Sequence, residues 1–397
     1  MATVFGASGQ TIVTLSVGSN EPAGQTLAAQ ISASLLAGGG STQVGSPGVQ
    51  PTTGTGVFIQ GTANQQIQLA TADTTVVVAT GGATTVSGSG SLNQRVLADN
   101  GNLTLATNGG SGQIVTGDGN DLISVLGGFN VRTGNGNDIL FLSGNNTVNA
   151  GGGTNIIGSA NGNDTISLSG ATDIVIGSGF GTMQVTAGAG SALIGPGSQN
   201  LNFVGGTGSA TIFAGTGSDT VSLGAGGGLA AGGTAGRNVL QGGAGSAGST
   251  LFGGGNGDLL SARGFASTTL IAGSGNETLT GANSTANNVF YAIAANGGNA
   301  SLQGGNGADV FVVAGGNTTV NGGPGQDLIG IVASGGGNVT ITSFNSAEKV
   351  TLQGYGANEV NRALSTASVG ASTTLTLSDN TRVTFVGVTN LNSSSFV

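Results

Sequence analysis

Residues 116–142 read TGDGNDLISVLGGFNVRTGNGNDILFL and set the architecture of this 397-residue chain. Two turns rich in glycine, asparagine and aspartate each run into a short β-forming segment. Between residues 121 and 223, such segments recur about every nine residues. One short unit cannot bury an apolar face, whereas stacked coils can. We therefore predict an all-β chain, a right-handed parallel β-solenoid or β-roll with two strands and about 18 residues per coil.

Acidic residues repeat at the same period as the strands. Three pairs are spaced by about one coil and are expected to stack in successive coils. The pairs are Asp121 and Asp138, Asp309 and Asp327, and Asp258 and Glu277, at separations of 17, 18 and 19 residues. Asp138 and Asp164 are 26 residues apart, which is close to three half-coils. Asp164 is therefore predicted to lie at the opposite edge.

The composition excludes several classes of protein. Glycine supplies 82 residues, but there are only 5 prolines and no strict Gly-X-Y period, so the chain is not collagen. Disordered chains have few hydrophobic and many charged residues. Here 37% of the residues are hydrophobic and only 6% are charged, so the composition argues against disorder. The net charge is −9 and the seven basic residues are scattered, so no nucleic-acid partner is expected. No apolar run is long enough for a transmembrane segment.

Catalytic residue types are sparse. Histidine and cysteine are absent, and the sequence contains no G-x-S-x-G motif, which excludes the usual triads and His or Cys metal centres. Paired carboxylates can hydrolyse glycosides. However, the acids here lie in turn motifs. Aromatic residues that could stack on a sugar ring are also few, because Trp is absent and Tyr291 and Tyr355 are the only tyrosines. We predict that the chain is not an enzyme.

The chain divides into three predicted regions. Residues 1–56 form an N-terminal strand, helix and linker segment, residues 57–340 form the solenoid, and residues 341–397 form a C-terminal cap and secretion-signal region. A helix is predicted over 25–37, where Leu27, Ile31 and Leu35 recur at helical spacing before Gly38 to Gly40.

Shorter features fill in the two terminal regions. Alternating residues predict a strand over 11–17, and prolines predict a linker or long loop over 39–56. Alternation around an Asp-Asn turn predicts a β-hairpin over 374–385.

The sharpest motifs are four turns that end in aspartate and precede an apolar pair. They read TGDGND at 116–121, TGNGND at 133–138, GGNGAD at 304–309 and GGPGQD at 322–327. Glycine permits the positive φ angles that turn carbonyls inward, and the final aspartate adds a carboxylate. Calcium takes six to eight oxygen ligands of both kinds, so two stacked turns are needed to supply them.

These turns resemble the nonapeptide repeat G-G-x-G-x-D-x-U-x of RTX proteins, whose parallel β-roll binds Ca²⁺. The last two turns match fully, the first two begin with threonine, and weaker matches end at Asp219, Asp258 and Glu277. The resemblance implies calcium as the cofactor and a set of candidate ligands. The candidates are Asp118, Asp121, Asp138, Asp219, Asp258, Glu277, Asp309 and Asp327.

A second interpretation of the same turns stays open. Asn-Gly and Asp-Gly are common turn pairs in any protein. Turns without an acid, such as GGTGS at 205–209, are expected to bind no metal. Hydrogen bonds and ladders of asparagine or threonine side chains would hold them.

The tail extends the resemblance. Residues 341–356 resemble the segment that follows β-rolls in secreted RTX proteins, and an uncleaved C-terminal signal directs type I secretion in that family. The last residues lack the acidic group that many such tails carry. The first residues show no basic and apolar pattern of a cleaved signal peptide, so a route without N-terminal cleavage is expected.

These observations predict a secreted, calcium-binding structural protein at a bacterial cell surface or in the extracellular matrix. With only 6% charged residues, the chain has little charge repulsion to keep copies apart in solution. A homo-oligomer or polymer is therefore expected, such as a surface layer, a filament or a biofilm matrix. The alternative is an RTX-type extracellular adhesin that does not self-assemble, with cell-surface glycan as a possible partner. Ice binding is disfavoured because T-x-T does not recur at the coil period.

Overall fold

The computed structural model describes residues 1–6, 9–37, 41–44, 49–51, 56–61, 64–70, 73–88, 93–293 and 299–397. It divides into two compact units, Met1–Gln199 and Asn200–Val397. The predicted parallel β-solenoid is confirmed, with about 15 turns of about 19 residues each.

Unit 1 contains helix α1 (Glu21–Leu36), a 3₁₀ turn at Gly18–Asn20 and twenty strands among its described residues. The strands are β1 (Ala2–Phe5), β2 (Thr11–Leu15), β3 (Ser41–Val44), β4 (Val49–Pro51), β5 (Gly56–Gln60), β6 (Gln65–Gln68), β7 (Thr75–Ala79), β8 (Thr84–Ser87), β9 (Gln94–Ala98), β10 (Leu103–Ala106), β11 (Ser111–Val115), β12 (Leu122–Leu126), β13 (Gly128–Arg132), β14 (Ile139–Ser143), β15 (Thr147–Ala150), β16 (Ile156–Ser159), β17 (Gly162–Leu168), β18 (Thr172–Gly177), β19 (Gly181–Ala187) and β20 (Ser191–Gly195).

Unit 2 contains helix α2 (Glu359–Ser365), a 3₁₀ turn at Ser393–Ser395 and nineteen strands among its described residues. The strands are β21 (Asn200–Val204), β22 (Ala210–Phe213), β23 (Thr220–Ser222), β24 (Gly228–Ala231), β25 (Val239–Gln241), β26 (Ser249–Phe252), β27 (Leu259–Gly264), β28 (Thr268–Ile271), β29 (Glu277–Ser284), β30 (Val289–Ile293), β31 (Asn299–Gln303), β32 (Val310–Ala314), β33 (Asn317–Asn321), β34 (Leu328–Val332), β35 (Gly337–Thr342), β36 (Lys349–Gln353), β37 (Ser368–Val369), β38 (Thr373–Thr376) and β39 (Thr381–Phe385).

Each unit has two parallel sheets, because alternate strands pair with the strand one turn later. In unit 1, sheet I holds the odd strands β3 to β19 and sheet II the even strands β4 to β20. In unit 2, sheet III holds the odd strands β21 to β35 and sheet IV the even strands β22 to β36. None of the helices among the described residues is long and apolar enough to cross a membrane.

Rows of aliphatic side chains fill the interior of each coil. Strand side chains alternate between the two faces of a sheet, so one residue of each pair points inward. In sheet II, a fully buried row runs through successive turns in register. The row is Ile123, Leu140, Ile157, Val175 and Ile194. In unit 2, the buried rings of Phe290 and Phe311 stack with centroids 4.7 Å apart.

Stacked turns approach so closely that many of their positions require glycine. A Cβ atom at Gly136 would lie 1.7 Å from the carbonyl oxygen of Gly119 one turn earlier. A Cβ atom at Gly233 would lie 1.6 Å from the carbonyl oxygen of Gly215. Turn length varies around this tight stacking, from 17 residues between Asp121 and Asp138 to 21 residues further along the chain.

The N-terminal segment covers the side of unit 1. Strands β1 and β2 pair antiparallel, and α1 packs with them on an apolar row of sheet I. That row consists of Phe58, Val77, Leu97 and Val115. The predicted helix is present but begins four residues earlier than expected, because Pro22 occupies its first turn and Glu21 favours that end.

The predicted linker over 39–56 contains β3 and β4, which join the parallel ladders. Residues 38–40, 45–48 and 52–55 lie outside the described residues, including the predicted glycine stop of α1.

The C-terminal end of unit 2 changes strand direction. Strands β38 and β39 form the antiparallel pair that the alternation predicts over 374–385, and β39 also pairs in parallel with β35. The sequence patterns do not predict the short helix α2. The Arg362 guanidinium donates to both carboxyl oxygens of Glu359 within it, at 2.7 and 3.1 Å.

Candidate functional site

Acidic and amide side chains form four stacked columns, at or near the start of successive strands. Column 1, in sheet II, is Asp121, Asp138, Asn155 and Asp173; column 2, in sheet I, is Asn146 and Asp164. Column 3, in sheet III, is Asp219, Asn238, Asp258 and Glu277; column 4, in sheet IV, is Asn288, Asp309, Asp327 and Glu348. Every member is at most 4% exposed.

One hydrogen bond recurs along the columns. In each column, a side-chain oxygen of an aspartate or asparagine accepts a hydrogen bond from the main-chain N–H of the member one turn earlier. Glu277 and Glu348 differ, because their bonded oxygen accepts from the N–H of Gly273 or Asn345 in their own turns. The N–H of Asp121 donates to Oδ1 of Asp138 at 2.8 Å, and the N–H of Asp138 donates to Oδ1 of Asn155 at 3.1 Å. The same bond joins Asp309 to Asp327 at 2.8 Å. Each column therefore ties successive turns together, with one oxygen per side chain committed to the main chain.

Steps in which an asparagine precedes an acid satisfy the whole carboxyl group; we call these amide–acid steps. The asparagine Nδ2 donates a second bond to the acid, as in the 2.8 Å contact from Asn155 to Asp173. The other carboxyl oxygen finds a local donor. For Asp173 this donor is the N–H of Gly170. The remaining amide–acid steps join Asn146 to Asp164, Asn238 to Asp258, and Asn288 to Asp309.

Steps in which an acid precedes another acid leave one oxygen without a partner; we call these acid–acid steps. They join Asp121 to Asp138, Asp258 to Glu277, Asp309 to Asp327, and Asp327 to Glu348. An ionised carboxylate has no proton to donate, so it cannot replace the asparagine Nδ2. Within the described part of the chain, the later acid of every such step has a buried oxygen with no hydrogen-bond partner. These atoms are Asp138 Oδ2, Glu277 Oε1, Asp327 Oδ2 and Glu348 Oε1. The first acids of columns 1 and 3 also each have one such atom, Asp121 Oδ2 and Asp219 Oδ2, although no acid precedes them.

The acids at these steps resist ionisation. Burial raises the pKa of Glu348 to about 7, and the nearby charge of Asp327 adds to the increase. Burial also raises the pKa of Asp327 to about 6, with a further increase from Asp309. Glu277 follows the same pattern beside Asp258, with a pKa of about 7. Each acid–acid step therefore favours a bound positive charge, which a proton or a cation can supply.

The first acid of column 1 behaves in the same way. Burial raises the pKa of Asp121 to about 7, and the charges of Asp138 and Asp99 contribute to the rise. The hydroxyl of Thr116 and the N–H of Leu103 oppose it.

Glycines open space for the unpartnered oxygens. A Cβ atom at Gly322 would lie 2.4 Å from Oε1 of Glu348 and 2.5 Å from Oδ2 of Asp327. A Cβ atom at Gly253 would lie 2.2 and 2.8 Å from the two carboxyl oxygens of Glu277. The two unpartnered oxygens near Gly322 thus share one cradle that only glycine leaves free.

This donor set fits a hard cation. Within the columns, the unpartnered atoms are carboxyl oxygens, the ligand type that calcium prefers. Among the described residues, no group of three or more acidic, histidine or cysteine side chains converges. A calcium ion at an acid–acid step would therefore have two carboxyl groups, and main-chain carbonyls or water would have to supply its other ligands.

The structure places the predicted ligands in different roles. The three predicted pairs stack in successive turns, and Asp164 lies in the sheet opposite Asp138, as its spacing predicts. Asp258 and Asp309 belong to acid–acid steps, but hydrogen bonds satisfy all four of their carboxyl oxygens. Asp219 heads column 3, and its Oδ1 accepts from the N–H of Leu201 at 2.7 Å.

Asp118 lies outside the columns, in a partly exposed turn. Its Oδ1 accepts from the N–H and the hydroxyl of Ser19 at 3.0 and 2.8 Å, and from the N–H of Asn135 at 2.9 Å. Partial burial raises the pKa of this carboxyl group, but the bonds from Ser19 and Asn135 outweigh it and leave the pKa below its usual value. Asp118 therefore fastens the N-terminal segment to the solenoid.

Glu348 is a column member that motif analysis misses. Its turn reads NSAE at 345–348 and has none of the glycines that mark the other acidic turns. The signal that could identify it is positional, because Glu348 follows Asp327 by one turn and precedes the β-forming residues of β36.

No protein-family model matches the sequence, and no curated protein matches it either. The resemblance to RTX proteins therefore rests on the turn motifs and on the segment at residues 341–356.

Proposed function

We propose that this chain is a non-enzymatic, calcium-binding structural β-solenoid that is secreted and self-assembles at the cell surface or in the extracellular matrix. A surface layer, a filament or a biofilm matrix is the setting that suits it. The observation that carries the proposal is the buried, unpartnered carboxyl oxygen at every acid–acid step.

The physical argument concerns unbalanced charge. Burying an unpaired carboxylate costs several kcal/mol, so the native state must neutralise these groups or lose stability. At amide–acid steps, the asparagine Nδ2 donates a hydrogen bond to the carboxylate and stabilises its charge. At acid–acid steps, calcium when bound supplies the missing positive charge. Asp327 and Glu348 would hold it beside Gly322. At the other three steps, the holding pairs would be Asp121 with Asp138, Asp258 with Glu277, and Asp309 with Asp327.

The expected affinity suits an extracellular setting. Two carboxyl groups per site form a weak calcium site, and extracellular calcium modules have dissociation constants of about 10⁻⁴ to 10⁻³ M. Such sites would fill outside a cell and stay empty at low cytosolic calcium. Folding would then be coupled to export. The resemblance of residues 341–356 to RTX tails supports the same route.

Low charge supports assembly. Only 6% of the residues are charged and the net charge is −9, so a few calcium ions would bring the net charge close to zero. A net charge near zero promotes association between copies.

The buried columns support a structural role in place of catalysis. Their acids are at most 4% exposed and bond to main-chain N–H groups, so a substrate could not reach them. The chain also lacks histidine and cysteine.

A calcium titration tests the proposal. Circular dichroism, differential scanning calorimetry and mass photometry of the full chain should show higher Tm and larger particles at millimolar calcium. Magnesium at equal concentration is the control, because it demands a tighter octahedral shell. Identical Tm, spectra and particle mass with calcium and with chelator would contradict the proposal.

A further inference from the structure

The outer face of sheet II in unit 1 carries an apolar stripe. One outward row runs in register across five successive strands. It consists of Leu122, Ile139, Ile156, Ile174 and Leu193. A second row, two residues further along each strand, adds Phe141 and Ile176, which are 53% and 54% exposed. The outward positions of these strands carry no charged side chain.

Among the described strands β13 to β19, sheet I carries no matching apolar stripe. Outward positions on sheet I between β13 and β19 are mainly amides and hydroxyls, such as Asn130, Thr165 and Gln184. The N-terminal segment already covers the apolar row at the other end of sheet I. Sheet II therefore presents an uncharged apolar surface with a regular spacing.

In the second row, large side chains alternate with glycines. From β14 to β20, successive strands contribute Phe141, Gly158, Ile176 and Gly195, whereas β12 contributes Ser124. A Cβ atom at Gly195 would meet nothing within 4 Å, so an open gap follows Ile176. A Cβ atom at Gly158 would lie 3.3 Å from the ring of Phe141, which narrows the other gap. The row has two projections and two gaps at the strand spacing.

This alternation is self-complementary. Consider a two-fold axis parallel to the strands, lying between β16 and β18. It places Ile176 opposite Gly158 of the second copy, and Phe141 opposite Gly195 of the second copy. In the first row, Ile156 then faces Ile174 of the second copy. Two-fold contacts of this kind use the same patch on both subunits.

We propose that a second copy of this chain docks face to face on the sheet II stripe, with Phe141 and Ile176 seated over the glycine gaps. The inference rests on the self-assembly in the proposed function and names the surface that carries it. The absence of charge on the stripe disfavours a charged partner, whereas another copy offers a matching apolar face.

The size of the stripe fits a weak homotypic contact. With this axis, the four strands β14 to β20 of one copy oppose the same four strands of the other; at about 4.8 Å between strands and five residues about 3.3 Å apart, they cover about 300 Å² per copy. The total of about 600 Å² lies below the roughly 1,000 Å² of a stable specific interface and in the range of weak contacts. We therefore expect a weak contact, so assembly should depend on concentration.

Substitution at the two projections tests the surface. Phe141→Thr with Ile176→Thr keeps β-forming residues at exposed positions and should raise the dissociation constant at least about tenfold by sedimentation velocity at saturating calcium. Phe180→Thr is the matched control, because Phe180 is 76% exposed in a turn outside the stripe, and it should assemble like the native chain. Circular dichroism and Tm confirm that all three chains fold alike.

Cross-linking tests the register directly, since the native chain has no cysteine. Across the same axis, Ile139 of one copy faces Leu193 of the other, whereas two copies of either residue lie three strand spacings, about 14 Å, to the side of each other. A chain with Ile139→Cys is therefore mixed with a chain carrying Leu193→Cys and treated with a short bis-maleimide, which can span sheets about 10 Å apart. The mixture should give more cross-linked dimer than either chain alone.

The outcomes separate this surface from the broader proposal. If the double variant assembles as the native chain does, or the mixture cross-links no better than each chain alone, the stripe is not the contact and self-assembly uses another surface. If the native chain stays monomeric at every concentration with calcium, self-assembly itself is wrong.

Discussion

The main-chain N–H of Asp309 donates a 2.8 Å hydrogen bond to Oδ1 of Asp327, while Oδ2 of the same carboxyl group has no partner and is buried. One turn earlier, Asn288 makes the equivalent main-chain bond to Asp309 and adds a second bond from its Nδ2. The two steps differ by one amide group. That difference separates a self-sufficient turn from one that needs a proton or a cation.

Asp327→Asn should make column 4 independent of calcium. The new side-chain amide would accept from the N–H of Asp309 and donate its Nδ2 to Glu348, as Asn155 does between Asp138 and Asp173. In calcium-free buffer at pH 8, we expect the free energy of unfolding to rise by about 1–2 kcal/mol. The gain in Tm on adding calcium should shrink. Chemical denaturation and calorimetry measure both.

The same exchange at Asp258 should have the opposite sign. Oδ2 of Asp258 accepts from the N–H groups of Gly254 and Gly255 at 2.8 and 3.3 Å. In Asp258→Asn, the side-chain Nδ2 would replace this acceptor oxygen and face the two main-chain N–H groups, which are also donors. The free energy of unfolding should therefore fall by about 1–3 kcal/mol. Equal effects at positions 258 and 327 would contradict the distinction between the two kinds of step.

Gly322→Ala should close the cradle between Asp327 and Glu348. The new Cβ atom would lie within 2.5 Å of an oxygen of each carboxyl group, so both side chains would have to shift. We expect lower calcium affinity by isothermal titration calorimetry and a lower Tm. Gly356→Ala is the control, because a Cβ atom there would meet nothing within 4 Å. Unchanged calcium affinity in Gly322→Ala would argue against binding at this step.

Without calcium, stability should fall as the pH rises from about 4.5 to about 7. The pKa of Glu348 and that of Glu277 rise to about 7 through burial, whereas an unfolded glutamate titrates near 4.5. Over this window the native state holds protons that the unfolded chain has released, so each group costs about 1.4 kcal/mol per pH unit. Tm should therefore be higher at pH 5 than at pH 8 in chelator.

Calcium should weaken that trend, because its binding needs ionised carboxylates and displaces their protons. At millimolar calcium, the fall in Tm between pH 5 and pH 7 should be smaller than in chelator. A pH indicator in weak buffer should also detect proton release when calcium is added near pH 6.5. An identical pH dependence with and without calcium would contradict binding at the acid–acid steps.

Removing the Asp118 carboxyl group should loosen the N-terminal segment and leave calcium binding intact. Asp118→Ala removes both bonds from Ser19, so the main-chain amides of α1 should exchange with deuterium faster. The control is Asn120→Ala, which alters the same turn but removes a bond from Asn137. A loss of calcium affinity in Asp118→Ala would instead assign this residue to a metal site, as the motif alone predicts.

The sequence predicts the coil and the stacking of acids because both follow from spacing. A segment such as Leu122–Leu126 alternates visibly, and the distance from Asp121 to Asp138 is one coil whatever the turns contain. Spacing cannot say which carboxyl oxygens find a donor. That depends on the residue one turn earlier, such as Asn288 for Asp309, and on whether the local turn aims an N–H group at the second oxygen.

The placement of the N-terminal segment also lies beyond local pattern. The apolar residues of α1 predict a helix, but its contact with Phe58, Val77, Leu97 and Val115 joins residues far apart in the sequence. Glu348 escapes motif analysis for a related reason. Its turn lacks the glycines, and only the parallel register of β34 and β36 assigns it to the column.

The columns also govern how such a chain could grow or shrink by whole turns. A duplicated turn carrying Asn155 would add a link that is complete in itself, because asparagine both accepts from and donates to its neighbours. A duplicated turn carrying Asp327 would add another pair of stacked acids and a further demand for positive charge. The ratio of the two kinds of turn therefore sets how strongly any lengthened descendant of this chain would depend on the ionic content of its surroundings.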